Sequence, residues 1–259
     1  MAQVLSELEI AMGDRRNARL SVQAWSAWAP GRETRADWRI WAGAADSSAE
    51  APTTPVVSIP MLLRRRASPF GQKIVGSAAA CGDALQRARY VLASRHGEFG
   101  RMIGILRALD AAELPSPAEF SMVVHHALTG LLSIGAGNTI GHTALAAGLD
   151  TFGFGLMEAV ACLAERPHEP VLLLYGDETL PGEYAAFGDD DVGLPVVVGL
   201  ALRAPQAGDD VIVFEASPRA ELGVPSDCAA AAFLRFLITA APAAAVEGCR
   251  MDWRWSRAA

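Results

Sequence analysis

A chain of 259 residues has room for a sizeable core within one large domain. Its composition, 51% hydrophobic and 20% charged, excludes a disordered chain, and a modest, dispersed net charge of −7 argues against nucleic acid as the main partner. No run of apolar residues is long enough to span a bilayer, and the acidic start MAQVLSELEIAMGD lacks the apolar segment of a secretory leader, so a cytoplasmic location is expected. Cys81, Cys162, Cys228 and Cys249 stand far apart without a C-x-x-C pair, which fits neither zinc nor a disulfide scaffold; buried reduced thiols are expected.

Residues 1–15 are weakly patterned and read as a mobile tail ahead of a single domain over 16–259. Alternation from Arg19 to Trp28 predicts the first strand. Trp38 and Trp41 share one helical face, and with Trp25 and Trp28 they either pack an N-terminal layer or anchor a subunit interface. Ala44 to Thr54 is a surface loop by composition. Arg64, Arg65 and Arg66 then form a basic spot, read either as solvated charge or as a docking point for an acidic carrier. Phe70 to Leu85 is predicted helical, with Ile74, Ala78, Cys81 and Leu85 on one side. Arg89 to Ser94 reads as a short buried strand and Met102 to Leu109 as a helix. His96 beside Glu98 invites an acid–base reading, but no nucleophile lies near in sequence.

The segment from Pro117 carries the densest pattern. Phe120, Val123, Val124, Ala127, Leu128, Leu131 and Leu132 recur at helical spacing, and Gly135 and Gly137 end that helix. A buried strand is expected within Asn138–Ala144, then a turn at Ala146-Ala147-Gly148, and a second helical stripe of Phe152, Leu156, Ala159, Val160 and Leu163 from Leu149 onward. His125 and His126 are adjacent, so on a helix they point about 100° apart and cannot share one metal or substrate; one is expected to face inward as a hydrogen-bonded core histidine. Gly135-Ala136-Gly137 follows a helix instead of a strand, which speaks against a dinucleotide site, and no G-x-S-x-G surrounds Ser133.

Val171 to Tyr175 is a continuous apolar run and reads as a central strand. Gly182 to Gly193, with Asp189-Asp190-Asp191, is a solvated acidic loop, with a bound Mg²⁺ as the rarer alternative. Leu194–Leu202 and Asp210–Glu215 are two further strands, expected to form a hairpin through Pro205-Gln206-Ala207-Gly208. Cys228 to Thr239 is a helix, and the alternation of Trp253-Arg254-Trp255-Ser256-Arg257 suggests a final edge strand. The order predicts an α/β fold with a mixed β-sheet between helical layers.

The residues Pro117, Phe120, His125, Thr129, Gly130 and Thr143-Ala144-Leu145-Ala146-Ala147-Gly148 resemble the β-ketoacyl synthase family of the thiolase superfamily, most strongly over 117–202. The resemblance implies a thiolase-like half and places Leu145 where that family has its nucleophilic cysteine. Leucine forms no acyl-thioester, so no catalytic residue, cofactor or metal is expected. A full synthase has a second half that supplies two catalytic histidines; no room for that half is expected after Val224, and residues 169–259 hold no histidine. The short members of the family resemble chain-length factors of aryl polyene pathways. That implies a heterodimer with a catalytic synthase, acyl carrier protein as a further partner, and a chain that shapes the acyl tunnel of fatty-acid or polyketide-type biosynthesis. On this reading Leu145, Leu149, Phe152 and Phe154 line or plug the tunnel, His125, His126, Thr129 and His142 lie near the dimer seam, and Arg64, Arg65 and Arg66 dock the carrier. The alternatives are a condensing enzyme using another thiol such as Cys162, a carrier-binding module, and a structural homodimer.

Overall fold

A computed structural model describes residues 18–44, 60–61, 65–187 and 195–258. The N-terminal tail, most of the loop from Ala44, Arg64 and the Asp189–Asp191 triplet lie outside the described residues. The strands are β1 (Ala18–Trp28), β2 (Arg89–Ala93), β3 (His142–Leu145), β4 (Val171–Asp177), β5 (Val196–Arg203), β6 (Ile212–Pro218), β7 (Ala243–Glu247) and β8 (Met251–Arg257). The helices are α1 (Arg35–Ala42), α2 (Pro69–Ala79), α3 (Ala84–Arg87), α4 (Phe99–Asp110), α5 (Pro117–Met122), α6 (Ala127–Ala136), α7 (Thr151–Glu165) and α8 (Ala229–Ile238).

All eight strands form one sheet in the order β3-β2-β4-β5-β1-β6-β8-β7. β3, β2 and β4 run parallel, and every further pairing is antiparallel. Because strand side chains alternate, β4 sends Val171, Leu173 and Tyr175 into one core and Leu172 and Leu174 into the other. The first core is closed by α7 and α8, through Phe152, Leu156, Phe233 and Phe236. The second is closed by α2 and α6, through Ile74, Ala78, Leu128 and Leu132. Each fully buried side chain of this size contributes about 1.5–3 kcal/mol, so a strand buried on both faces anchors the fold.

Local signals set the helix starts. Ser68-Pro69 and Ser116-Pro117 use the same device at α2 and α5: the serine hydroxyl accepts from a backbone N–H three residues on, and proline occupies the first turn. In α1 the Thr34 hydroxyl accepts from Asp37 N while the Asp37 carboxylate accepts from Thr34 N.

Five expectations need correction. The helix over Phe70–Leu85 is two, because the chain turns at Gly82 with φ +64°, yet Ile74, Ala78, Cys81 and Leu85 are all buried. The helix from Pro117 also breaks, at 123–126, which leaves Phe120 and Val124 exposed; Gly135 lies inside α6, and Gly137 (φ +64°) ends it. β3 is a half-buried edge strand, not a buried one. β5 and β6 form no hairpin, since the eleven-residue β1 lies between them, pairing Ser21–Trp28 with β5 and Ala18–Leu20 with β6. The Trp253 strand, β8, is interior; the edge is β7, an Ala-Ala-Ala-Val-Glu segment whose alanines carry little strand signal.

Helix α7 sits closest to its neighbours. Gly153 and Gly155 are two residues apart, hence about 200° around the helix, and they meet different strands of the same core. A Cβ on Gly155 would come within 2.6 Å of the Ala93 Cβ on β2. A Cβ on Gly153 would overlap the Trp253 indole of β8, which is stacked on Phe214 at 5.9 Å. Gly130 on α6 has open space instead. Gly153→Ala is therefore expected to lower unfolding free energy by about 2 kcal/mol or more, while Gly130→Ala is neutral or stabilising by up to about 1 kcal/mol; urea denaturation of both variants measures the contrast.

Candidate functional site

Parallel strands β2, β3 and β4 end on one side of the sheet, and the residues singled out around the elbow gather there. Leu145 closes β3. Its half-buried side chain packs against the α7 core, and its carbonyl accepts from Ser94 N and meets His125 Nε2, each at 3.1 Å. A carbonyl only accepts, so His125 presents an Nε2–H to it. His125 is thus the inward, hydrogen-bonded member of the histidine pair. The break between α5 and α6 is what lets its ring reach the end of β3.

The turn that follows is held from within and without. Thr151 Oγ1 accepts from Ala147 N at 3.0 Å and donates to Gly148 O at 2.6 Å. Gly148 has φ +62°, a left-handed conformation that favours glycine. Asp150, 1% exposed, accepts from Cys249 N (2.9 Å), Arg250 N (2.8 Å) and Trp253 Nε1 (3.3 Å). Arg250 donates to Ala147 O at 2.6 Å and lies 5.2 Å from the Phe154 ring centre. The C-terminal loop before β8 thereby clamps the elbow. Neither Asp150 nor Arg250 was legible as a pair: they are 100 residues apart, and the only local signal is an acidic residue at a helix start.

The other predicted site residues divide. Phe154 is half-buried against Trp253, with ring centres 5.4 Å apart, and Leu149, in the turn before α7, is half-buried too. Phe152 is a core residue, edge-on to Tyr175 at 5.5 Å and 5.7 Å from Phe233. Thr129 is buried on α6, where its hydroxyl donates to His126 O. His126 is exposed and stacks on His142 of β3, with centroids 6.0 Å apart. Arg65 and Arg66 are exposed, ahead of α2. His96 and Glu98 do not form an acid–base pair with a nucleophile: Glu98 is buried and accepts from Ser68 Oγ and Arg101 Nε. Arg101 is paired with Glu119 as well. Ser68, Glu98, Arg101 and Glu119, with Phe70 and Glu178, line an open groove of about 770 Å³.

Asp177 at the end of β4 was missed too. It accepts from Ser94 Oγ, Arg95 N and His96 N, at 2.7–3.1 Å, tying the ends of β2 and β4 together. Burial pushes its carboxyl up to about 6, against the hydrogen bonds that lower it. Glu178 is raised as well, by burial and by Glu98 and Asp177. The half-buried Cys162 thiol is pushed up by burial and by Glu158, the opposite of what a thiolate nucleophile needs. Among the described residues no three His, Cys, Asp or Glu side chains gather as a metal site, and no helix is long and apolar enough to cross a membrane.

A mixed eight-stranded sheet with its elbow at the end of a parallel edge strand is the thiolase-like fold of ketosynthase structures. The chain belongs to the family described as "Beta-ketoacyl synthase, N-terminal domain", whose profile matches residues 38–256. It is similar to a chain of the complex between the ketosynthase ApeO and its chain length factor ApeC from Xenorhabdus doucetiae, at 28% identity and a TM-score of 0.76 over 92% of this chain and 99% of that one. It also resembles the ishigamide ketosynthase/chain length factor, at 17% identity and a TM-score of 0.57 over 78% of this chain and 68% of that one. A β-ketoacyl synthase from Burkholderia phymatum shares the fold at 12% identity, with a TM-score of 0.58 over 87% of this chain and 71% of that one. No curated protein matches the sequence.

Because the folded-state pKa of Asp177 is raised from 3.8 to about 6, the native chain binds its proton more tightly than the unfolded chain does. Its contribution to stability therefore declines as pH rises from about 4 through about 6 and is flat above. Chemical denaturation across that range is expected to show this decline in the native chain and to lack it in Asp177→Asn.

Proposed function

We propose that this chain is the non-catalytic, chain-length-factor-type subunit that pairs with a catalytic β-ketoacyl synthase and shapes the acyl tunnel of the pair. The observation that carries the reading is the elbow itself: strand, turn and helix are present, hydrogen-bonded and clamped, and the resemblance puts Leu145 where the nucleophile would stand. An acyl-transfer site without a nucleophile has no covalent step to perform, but its walls still define a cavity shape. The likeness to a chain of a ketosynthase–chain length factor complex, spanning almost all of both chains, supports the same reading.

The β3 edge is the surface offered to the synthase. Among the described residues β3 pairs on one side only, with β2, and an open strand edge is a template for another strand. Leu145 at the end of β3, with Leu149 and Phe154 in the turn and helix that follow, all half-buried, limit the acyl chain by steric closure, and Phe152 backs them from the core. Arg65 and Arg66, exposed beside Arg64 in sequence, offer guanidinium groups to an acidic acyl carrier protein. The direction of the Cys162 shift counts against a condensing enzyme built on that thiol.

Leu145→Ala and Phe154→Ala each open space along the wall. In the reconstituted pair, either variant is expected to lengthen the acyl product by one or more extension units, read by mass spectrometry of the carrier-bound products. Unchanged lengths in both would remove the tunnel role.

A further inference from the structure

His142 begins the open edge strand, and its ring stacks on His126 with planes 29° apart. Alternation along β3 puts His142 and Ala144 on the α6 side, since Ala144 packs into the α6 core while Leu145 packs into the α7 core. Within that setting, among the described residues, no carboxylate acts on His142. α6, written ALTGLLSIGA, carries no charged residue, and His126 stands at its N-terminus, where the helix dipole disfavours a cation. β3 itself, HTAL, has no other titratable group. β2 contributes Arg89, whose Nη2 donates to Thr143 Oγ1 at 3.4 Å. The carboxylate of Glu158 and the thiol of Cys162 belong to α7, which packs on the other face of the sheet. His125, the remaining histidine nearby, is engaged by the Leu145 carbonyl. Protonating His142 is already disfavoured by burial, by His126 and by Arg89.

We propose that the His126–His142 pair makes association through the β3 edge proton-sensitive: the edge pairs with a partner strand when both imidazoles are neutral and is released when they are charged. The inference rests on the reading of β3 as the synthase-facing edge and adds its regulation. Covering the strand with another chain takes His142 further from water and closes over His126, and both changes oppose a positive charge. Two stacked imidazolium rings repel each other as well, and the Arg89 guanidinium, bonded to Thr143, adds to the repulsion at His142. Since the bound state excludes protons that the free state accepts, affinity is full at and above the ordinary histidine range near about 6.5 and is lost as pH falls below it, because His142 is already held below that range.

The test is binding of the full chain to its synthase by isothermal titration calorimetry at about pH 8 and about pH 5.5, with buffers of different ionisation enthalpy. Affinity is expected to fall roughly tenfold or more at the lower pH, with net proton release on complex formation near pH 6. In His126→Gln with His142→Gln, the ratio of the two affinities should move toward one, whatever the absolute affinity. A wild-type affinity equal at both pH values, or a double variant as steep as wild type, overturns the switch and leaves the pairing intact. No complex at any pH overturns the pairing reading and the switch with it. Should the double variant fail to fold, proton release by the wild-type pair decides: its absence near pH 6 overturns the proposal.

Discussion

Helix α7 has no spare room on either side. Gly155 lets it approach Ala93 on β2, and Gly153 lets the Trp253 indole of β8 lie against it. A helix held this tightly fixes where its own N-terminus falls, and with it the turn that joins β3 to α7. The rest of the first core is organised around that contact: Phe214 stacks on Trp253, Phe154 meets it edge-on, and α8 brings Phe233 onto Phe152. Glycine in a helix interior costs about 1 kcal/mol in propensity, and two within three residues persist because any larger side chain would cost more in overlap.

Packing of this kind explains why the polar clamp is affordable in a hydrophobic interior. Asp150 is almost fully buried, yet three N–H groups from the Cys249–Trp253 segment point at it. A buried carboxylate with that many donors is stabilised where an unpaired one would be expelled. The clamp links residues 100 positions apart and turns the elbow into a fixed corner. On the proposed reading its rigidity serves shape, since Leu145 supplies no reactive atom at the corner.

Much of the architecture was legible in the sequence. β1 and β4 carried unambiguous alternation or a continuous apolar run, and both stand within a residue or two of the expected bounds. Helix breaks were not legible: the apolar period runs unbroken through Val123 and Val124, and only the reach of His125 to the Leu145 carbonyl shows why the chain turns there. Strand order was not legible either, because the turn at Pro205–Gly208 looks the same whether its strands pair or admit β1 between them. β7 escaped because three alanines carry no alternation to read. Of the elbow residues, Leu145 was recognisable by place, whereas Asp150, Arg250 and Asp177 act through contacts made only once distant strands are aligned.

On the proposed reading, the chain keeps a ketosynthase elbow for its shape and offers its β3 edge to a catalytic partner. Co-expression with a catalytic β-ketoacyl synthase from the same genome, followed by size-exclusion chromatography with light scattering, tests that most directly. A 1:1 complex, whose condensing activity disappears when this chain is omitted, is the predicted result. A monomer or homodimer that leaves the synthase's assembly and activity unchanged would contradict the account.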